Sequence, residues 1–288
     1  MKAVFRRELS SYFTGLSGYV FGAFLLLFAG IYTMAYNIRA AVSNFEYVLS
    51  SMSFIFLVIV PILTMRVFAE EKRQKTDQLL YSLPLTMTEV VMGKYLAMLV
   101  MFLIPLCIIG IYPAVLSHFG KVNLAAAYGA LVGFFFLGAA LLAVGAFISS
   151  VTDSQGVAAG LCFAALLVNY FLASLSSFFS STAFASFAAL TFAVAALALI
   201  FYLMTKSGFA SVVIFIASEV LVFVFYTFKK DSFEGLFPNI LSSLSLFARF
   251  EQFVSGIFDV TAIVFYITVA AVFLFLSVQA MEKRRWNA

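Results

Sequence analysis

Residues Arg66–Lys94, RVFAEEKRQKTDQLLYSLPLTMTEVVMGK, form a charged island between two long apolar segments. The island carries five of the seventeen Lys and Arg residues of the chain: Arg66, Lys72, Arg73, Lys75 and Lys94. Basic loops are retained on the cytoplasmic face when the segments flanking them cross a membrane, so the island sets an orientation as well as a boundary. Around it, 64% of the 288 residues are hydrophobic, 10% are charged and the mean hydropathy is +1.10. Apolar runs close to the ~20 residues that a helix needs to cross ~30 Å of hydrocarbon recur along the chain. The backbone must satisfy its own hydrogen bonds in lipid, so the expected fold is all-α, a polytopic helical membrane protein. The net charge of +4 is small and its basic residues gather at one set of loop ends, a pattern that orients a membrane protein and gives no nucleic-acid footprint. Cys107 and Cys162 both fall inside apolar runs, where neither a disulfide nor a redox role is expected.

Hydropathy places about eight spans, near 17–36, 50–68, 89–113, 124–149, 155–174, 184–204, 208–228 and 258–281. An even number puts both termini on one side, together with 1–14, the 69–88 loop, the turns near 149–154 and Lys206, and the tail. That side then holds twelve basic residues: Lys2, Arg6, Arg7, Arg66, Lys72, Arg73, Lys75, Lys94, Lys206, Lys283, Arg284 and Arg285. The other holds five, Arg39, Lys121, Lys229, Lys230 and Arg249. The amino and carboxyl ends are therefore expected in the cytoplasm, with 229–257 an extracytoplasmic segment. Lys2, Arg6 and Arg7 ahead of an apolar run resemble a signal peptide, but the run is long and lacks a small-residue cleavage site, so a retained first span is expected. The serine-rich break SLSSFFSSTAFAS precedes an apolar pair, 184–228, that reads either as two full spans or as a partly re-entrant hairpin.

In 1–14, Phe5, Leu9, Tyr12 and Phe13 fall on one helical stripe, with Lys2, Arg6 and Arg7 largely off it. This pattern reads as an amphipathic helix along the inner leaflet, or as simple aromatic and basic anchoring ahead of a span. In the island, the helix leaving the second span is expected to break at Ser82-Leu83-Pro84, because proline disfavours helix at the residue before it. Thr86 and Glu89 have the spacing of a capping box that starts the third span. Leu79, Leu80 and Leu83 sit in this cytoplasmic elbow, where apolar side chains call for headgroups or another protein.

The run FAEEKRQKTDQLLYSLPLTMTEVVMGKYLA resembles the permease subunits of type V ABC exporters. An acidic-basic cluster, Thr, a Leu pair, Ser-x-Pro and Gly-Lys stand in that order at Glu70, Glu71, Lys72, Arg73, Thr76, Leu79, Leu80, Ser82, Pro84, Gly93 and Lys94. FRRELSSYFTGLSGYVF, ISSVTDSQGVAAG and FEQFVSGIFDVTAIVFYITVAAVFLFLSVQAMEKRRW are similar to the subgroup of gliding-motility and nitrous-oxide-reductase maturation permeases. The apolar pair 184–228 departs from that subgroup's six spans. The resemblance implies a multi-pass permease of the bacterial plasma membrane, acting as a homodimer or half of a heterodimer, with two copies of a separate P-loop ABC ATPase that binds ATP and Mg. It makes 1–14 a connecting helix (Phe5, Arg6, Arg7, Leu9, Tyr12) and 70–85 a coupling elbow (Glu70, Glu71, Lys72, Arg73, Thr76, Leu79, Leu80, Leu83, Pro84). Thr152 and Asp153 fall in a smaller second coupling segment. It also places the first and fifth spans at the subunit interface, which assigns Gly156 and Gly160 there. The chain has no G-x-x-x-x-G-K-[ST] loop of its own, so no cofactor is expected in it.

Two glycine pairs, Gly129/Gly133 and Gly156/Gly160, permit close helix approach, within one subunit or between two. Glu219 lies near the middle of a predicted span, where a charge costs roughly 2.5 kcal/mol or more, so it must be neutral, paired or wet. A structural hydrogen bond to Tyr226 or Ser218 is one reading, and a substrate or proton role is the other. The single histidine, His118, and two cysteines give no metal-ligand spacing, and no nucleophile arrangement emerges, so no enzyme is expected. Three functions stay open at this level: an ATP-driven exporter permease, a secondary transporter or channel relaying ions through Glu219, and a membrane assembly factor.

Overall fold

The computed structural model describes residues 1–74, 86–205, 208–228 and 233–287. Its described residues are helices and their connections. In order these are α1 (Lys2–Thr14), α2 (Leu16–Thr33), α3 (Glu46–Ser53), α4 (Phe56–Thr64), α5 (Ala69–Arg73), α6 (Met87–Ile109) and α7 (Ile111–Leu116). They continue with α8 (Leu124–Val151), α9 (Gln155–Ser176), α10 (Ala183–Thr205), α11 (Gly208–Phe228), α12 (Leu236–Leu244), α13 (Leu246–Val254) and α14 (Val260–Asn287). Among the described residues, five helical stretches are long and apolar enough to cross a membrane: 18–39, 87–116, 124–151, 155–176 and 260–285. The pair α3 and α4 makes a sixth if taken as one span. The protein is a multi-pass helical membrane protein.

The second span is not the single straight helix that its hydropathy suggests, because α3 and α4 meet at 59°. At the break the amides of Ile55, Leu57 and Val58 bond carbonyls three residues back, and the Ser53 hydroxyl donates to the Ser50 carbonyl at 2.6 Å. Tightened turns and serine back-bonding of this kind bend helices, and Pro61, with no N–H to give Leu57, follows less than two turns on.

The chain divides into two compact units, 1–168 with 249–288, and 169–248. In the first, α8 is the central helix: 72% of its most apolar window is buried, against 17% for α9. It packs on α14, α4, α6 and α3. Its glycines admit bulky neighbours, since a Cβ on Gly138 would stand 2.5 Å from the Phe102 ring and one on Gly145 2.5 Å from the Thr64 hydroxyl. A Cβ on Gly133 would meet the Phe253 ring at 2.6 Å, so the first of the two glycine pairs serves packing inside the subunit. Phe56, Phe102 and Phe134 form a ring cluster at this level, with centroids 4.6 to 6.2 Å apart. The second unit contains the α10–α11 hairpin, with α12 packed on α10.

Candidate functional site at the basic end of the bundle

The start of α6, the ends of α8 and α14, and α1 and α5 meet at one end of the first unit, which brings both chain termini to the same side. This is the end rich in Lys and Arg, the one that the positive-inside tendency favours for the cytoplasm. The capping box anticipated from the sequence begins α6: the Glu89 amide donates to the Thr86 hydroxyl, and the Thr86 amide to the Glu89 carboxylate, both at 3.3 Å. The Met1 ammonium reaches the same carboxylate at 3.4 Å.

α1 lies against α6. Its inward stripe is Val4, Glu8 and Tyr12, at i, i+4 and i+8, with Phe5 and Leu9 half-buried beside it and Phe13 exposed. Lys2, Arg6 and Arg7 face outward. Gly93 provides the room, because a Cβ there would stand 3.2 Å from the Val4 side chain. Burial, with the Glu8 charge beside it, pushes the Tyr12 phenol up, so Tyr12 remains a neutral packing group.

Lys94 is 2% exposed and is the hub of the site. Its ammonium donates to the Val67 carbonyl at 2.7 Å and pairs with Glu71 at 2.9 Å and with Glu8 at 3.3 Å. It also stands 5.3 Å from the centre of the Phe68 ring. Arg7 closes the cluster from outside, at 2.7 Å from Glu71 and 3.3 Å from Glu8. Two carboxylates and two cations thus tie α1, α5 and α6 together with no net charge, the condition under which buried ions are tolerated.

A second link joins α5 to the end of α8. Phe68 lends α5 no side-chain cap, and the Phe68 and Ala69 amides instead donate to the buried Ser149 hydroxyl of α8, each at 3.2 Å. In return the Lys72 ammonium donates to the Ser150 carbonyl and, at 3.4 Å, to that of Thr152, satisfying carbonyls at the α8 C-terminus. Asp153, largely exposed, lies 3.9 Å from Lys72 and pairs with Arg284 of α14.

Glu70, Glu71, Lys72 and Arg73 are therefore not one surface. Glu71 and Lys72 turn inward and hold helices together, whereas Arg73 is exposed and half-buried Glu70 answers Arg66 and Gln74 at the surface. Thr76, Leu79, Leu80, Leu83 and Pro84 lie outside the described residues. Glu8 and Val4 escaped the sequence reading. The legible signal was a carboxylate at i+4 from Val4 and i−4 from Tyr12, together with a lysine five residues inside a span.

Residues 33–192, more than half of the chain, match the family described as ABC-2 family transporter protein. The chain belongs to that family. No curated protein matches it. As a member of the ABC-2 family it is a transmembrane component of an ABC transporter, a class whose membrane components work with an ABC ATPase. The matched stretch includes α5, the start of α6 and the α8 turn, the parts joined by Lys94 and Lys72.

Gly156 and Gly160 sit on an open face of α9, where an added Cβ would meet nothing within 4 Å. That helix buries only Ala158, Cys162 and Leu166, a stripe one residue wide. In the second unit the Thr191 hydroxyl donates to Glu219 Oε2 at 3.2 Å across the hairpin, in place of the expected Tyr226 or Ser218. Glu219 Oε1 is buried and accepts no hydrogen bond among the described residues.

Proposed function

We propose that this ABC-2 permease is the membrane subunit of an ATP-driven exporter of the type V kind, close to the gliding-motility and nitrous-oxide-reductase maturation permeases and seated in a bacterial plasma membrane. A separate P-loop ABC ATPase, in two copies with ATP and Mg, docks on its cytoplasmic end. The observation that carries this reading is the double link through Lys94 and Lys72. A membrane subunit that receives mechanical work needs its docking segments fastened to its spans, and here α1 and α5 are fastened to α6 and α8 by buried ion pairs and buried hydrogen bonds, with the exposed Asp153–Arg284 pair reaching α14. A push on α5 reaches α6 and α8 without first taking up slack. Leu79, Leu80 and Leu83 provide the apolar anchors, Pro84 sets their elbow, and Glu70 and Arg73 belong to its polar rim with Thr152 and Asp153 in the second contact. A second permease copy, identical or homologous, packs on the open Gly156/Gly160 face.

The test is co-purification of the chain with its ABC ATPase in mild detergent. Truncating an apolar anchor at a binding hot spot costs about 2 kcal/mol, more than tenfold in affinity. A Leu79→Ala, Leu80→Ala double variant is expected to insert normally and to lose the ATPase or its coupled transport. Full ATPase recovery with unchanged coupled transport rejects the docking elbow. The rival reading, a secondary transporter or channel, is favoured by one observation, the buried Oε1 of Glu219, which has no hydrogen-bond partner among the described residues.

A further inference from the structure

A groove of about 580 Å³ runs along the outside of the first unit between α6, α8 and α14. On α6 it is bounded by Thr88, Met92, Tyr95 and Leu99, one stripe covering about 16 Å at 1.5 Å per residue. Small buried residues make its floor, Ala139 on α8 and Ala270 on α14, with exposed Ala271 at its rim and Phe135 and Tyr266 at its far end. At its cytoplasmic mouth stand the Thr88 hydroxyl, the Gln279 amide and the Glu282 carboxylate.

We propose that this groove is a lipid site holding one acyl chain of an aminophospholipid from the cytoplasmic leaflet. Its length is about half of the ~30 Å hydrocarbon layer, so it spans one leaflet. It begins at the level of the capping box that starts α6, where headgroups lie, and ends where a chain terminus would. The lining is almost wholly apolar, and the volume is that of a site for one elongated ligand. In a membrane-spanning unit hydrocarbon fills such a trough, because leaving it empty forfeits the contacts of every lining atom. The mouth selects the headgroup. Among the described lining residues the one side chain charged at neutral pH is Glu282, which attracts an ammonium and repels a purely anionic headgroup. The site requires only that the chain span the membrane, and it stands apart from the ATPase reading.

The test uses the full-length chain in vesicles of phosphatidylethanolamine and phosphatidylglycerol with a trace of phosphatidylethanolamine carrying a photoactivatable group on its acyl chain. After illumination, mass spectrometry is expected to find label on 88–99 and 266–279 in excess of that on the exposed Val58 and Ile62 of α4. Ala271→Phe fills the trough from an exposed position and is expected to abolish the excess. Val272→Phe, on the neighbouring exposed face, is expected to keep it. The same photoactivatable group on phosphatidylglycerol is expected to label less, and Glu282→Gln to remove that difference. The proposal is overturned if wild-type groove labelling only equals that of Val58 and Ile62, if Ala271→Phe leaves it unchanged, if the headgroups label alike in wild type, or if the groove cross-links to a second protein chain.

Discussion

Replacing Lys94 with methionine keeps most of the apolar stem and removes the charge, so it tests whether the ammonium holds this end of the bundle together. Its side chain is 2% exposed, and those of its partners Glu71 and Glu8 are 13% and 15% exposed. Without Lys94 the two carboxylates face each other with only Arg7, itself 60% exposed, to offset them, and the Val67 carbonyl loses its donor. Breaking a buried ion pair by removing one partner costs about 3–5 kcal/mol, and the surviving Arg7 puts this case near 3. For a chain of this size that is a fall in unfolding temperature of roughly 6 °C. Thermal unfolding of the purified protein in detergent reads it directly. The companion variant adds Glu71→Gln, which removes one of the facing charges and is expected to recover about 1–2 kcal/mol, the coupling expected of residues in one network. Arg7→Ala alone is expected to cost under about 1 kcal/mol, because exposed pairs are worth little. An unfolding temperature for Lys94→Met equal to wild type, or a double variant no better than the single, refutes the hub.

Further outcomes follow from the same geometry. Single cysteines at Gln74 and Asn287 are expected to be shielded from an impermeant reagent in intact cells and one at Asn239 to react, and external labelling at Gln74 removes the docking surface. Gly145→Ala places a methyl against the stiff Thr64 side chain and is expected to cost about 1–3 kcal/mol in thermal unfolding. Gly160→Ala meets open space, so it is expected to leave the single chain's stability unchanged while weakening self-association measured by cross-linking. Glu219→Gln keeps an acceptor for Thr191 and is expected to leave transport and ATPase stimulation nearly intact, whereas complete loss of transport in a well-folded variant favours an ion or proton relay.

The sequence by itself determined the class, an all-helical multi-pass membrane protein, because hydropathy over ~20 residues is a property of the chain read one segment at a time. It also determined the start of α6, since Thr86 and Glu89 satisfy each other's amides within a single turn. Residues that act across the chain were beyond it. Glu70 and Glu71 are neighbours of the same type, yet one answers solvent and the other a buried lysine, because consecutive helix positions point about 100° apart and only the packing of α5 decides which side is inside. Lys94 read as the edge of a charged island, and it becomes a buried hub because Glu8, far earlier in the chain, is carried to it by α1. Gly93 read as part of the same motif, and its role is to let Val4 approach. The 59° bend in the second span was equally hidden, since hydropathy records how apolar a segment is and not where its hydrogen bonds tighten. Local spacing determined what enters the membrane, and tertiary packing decided which charges leave the water with it.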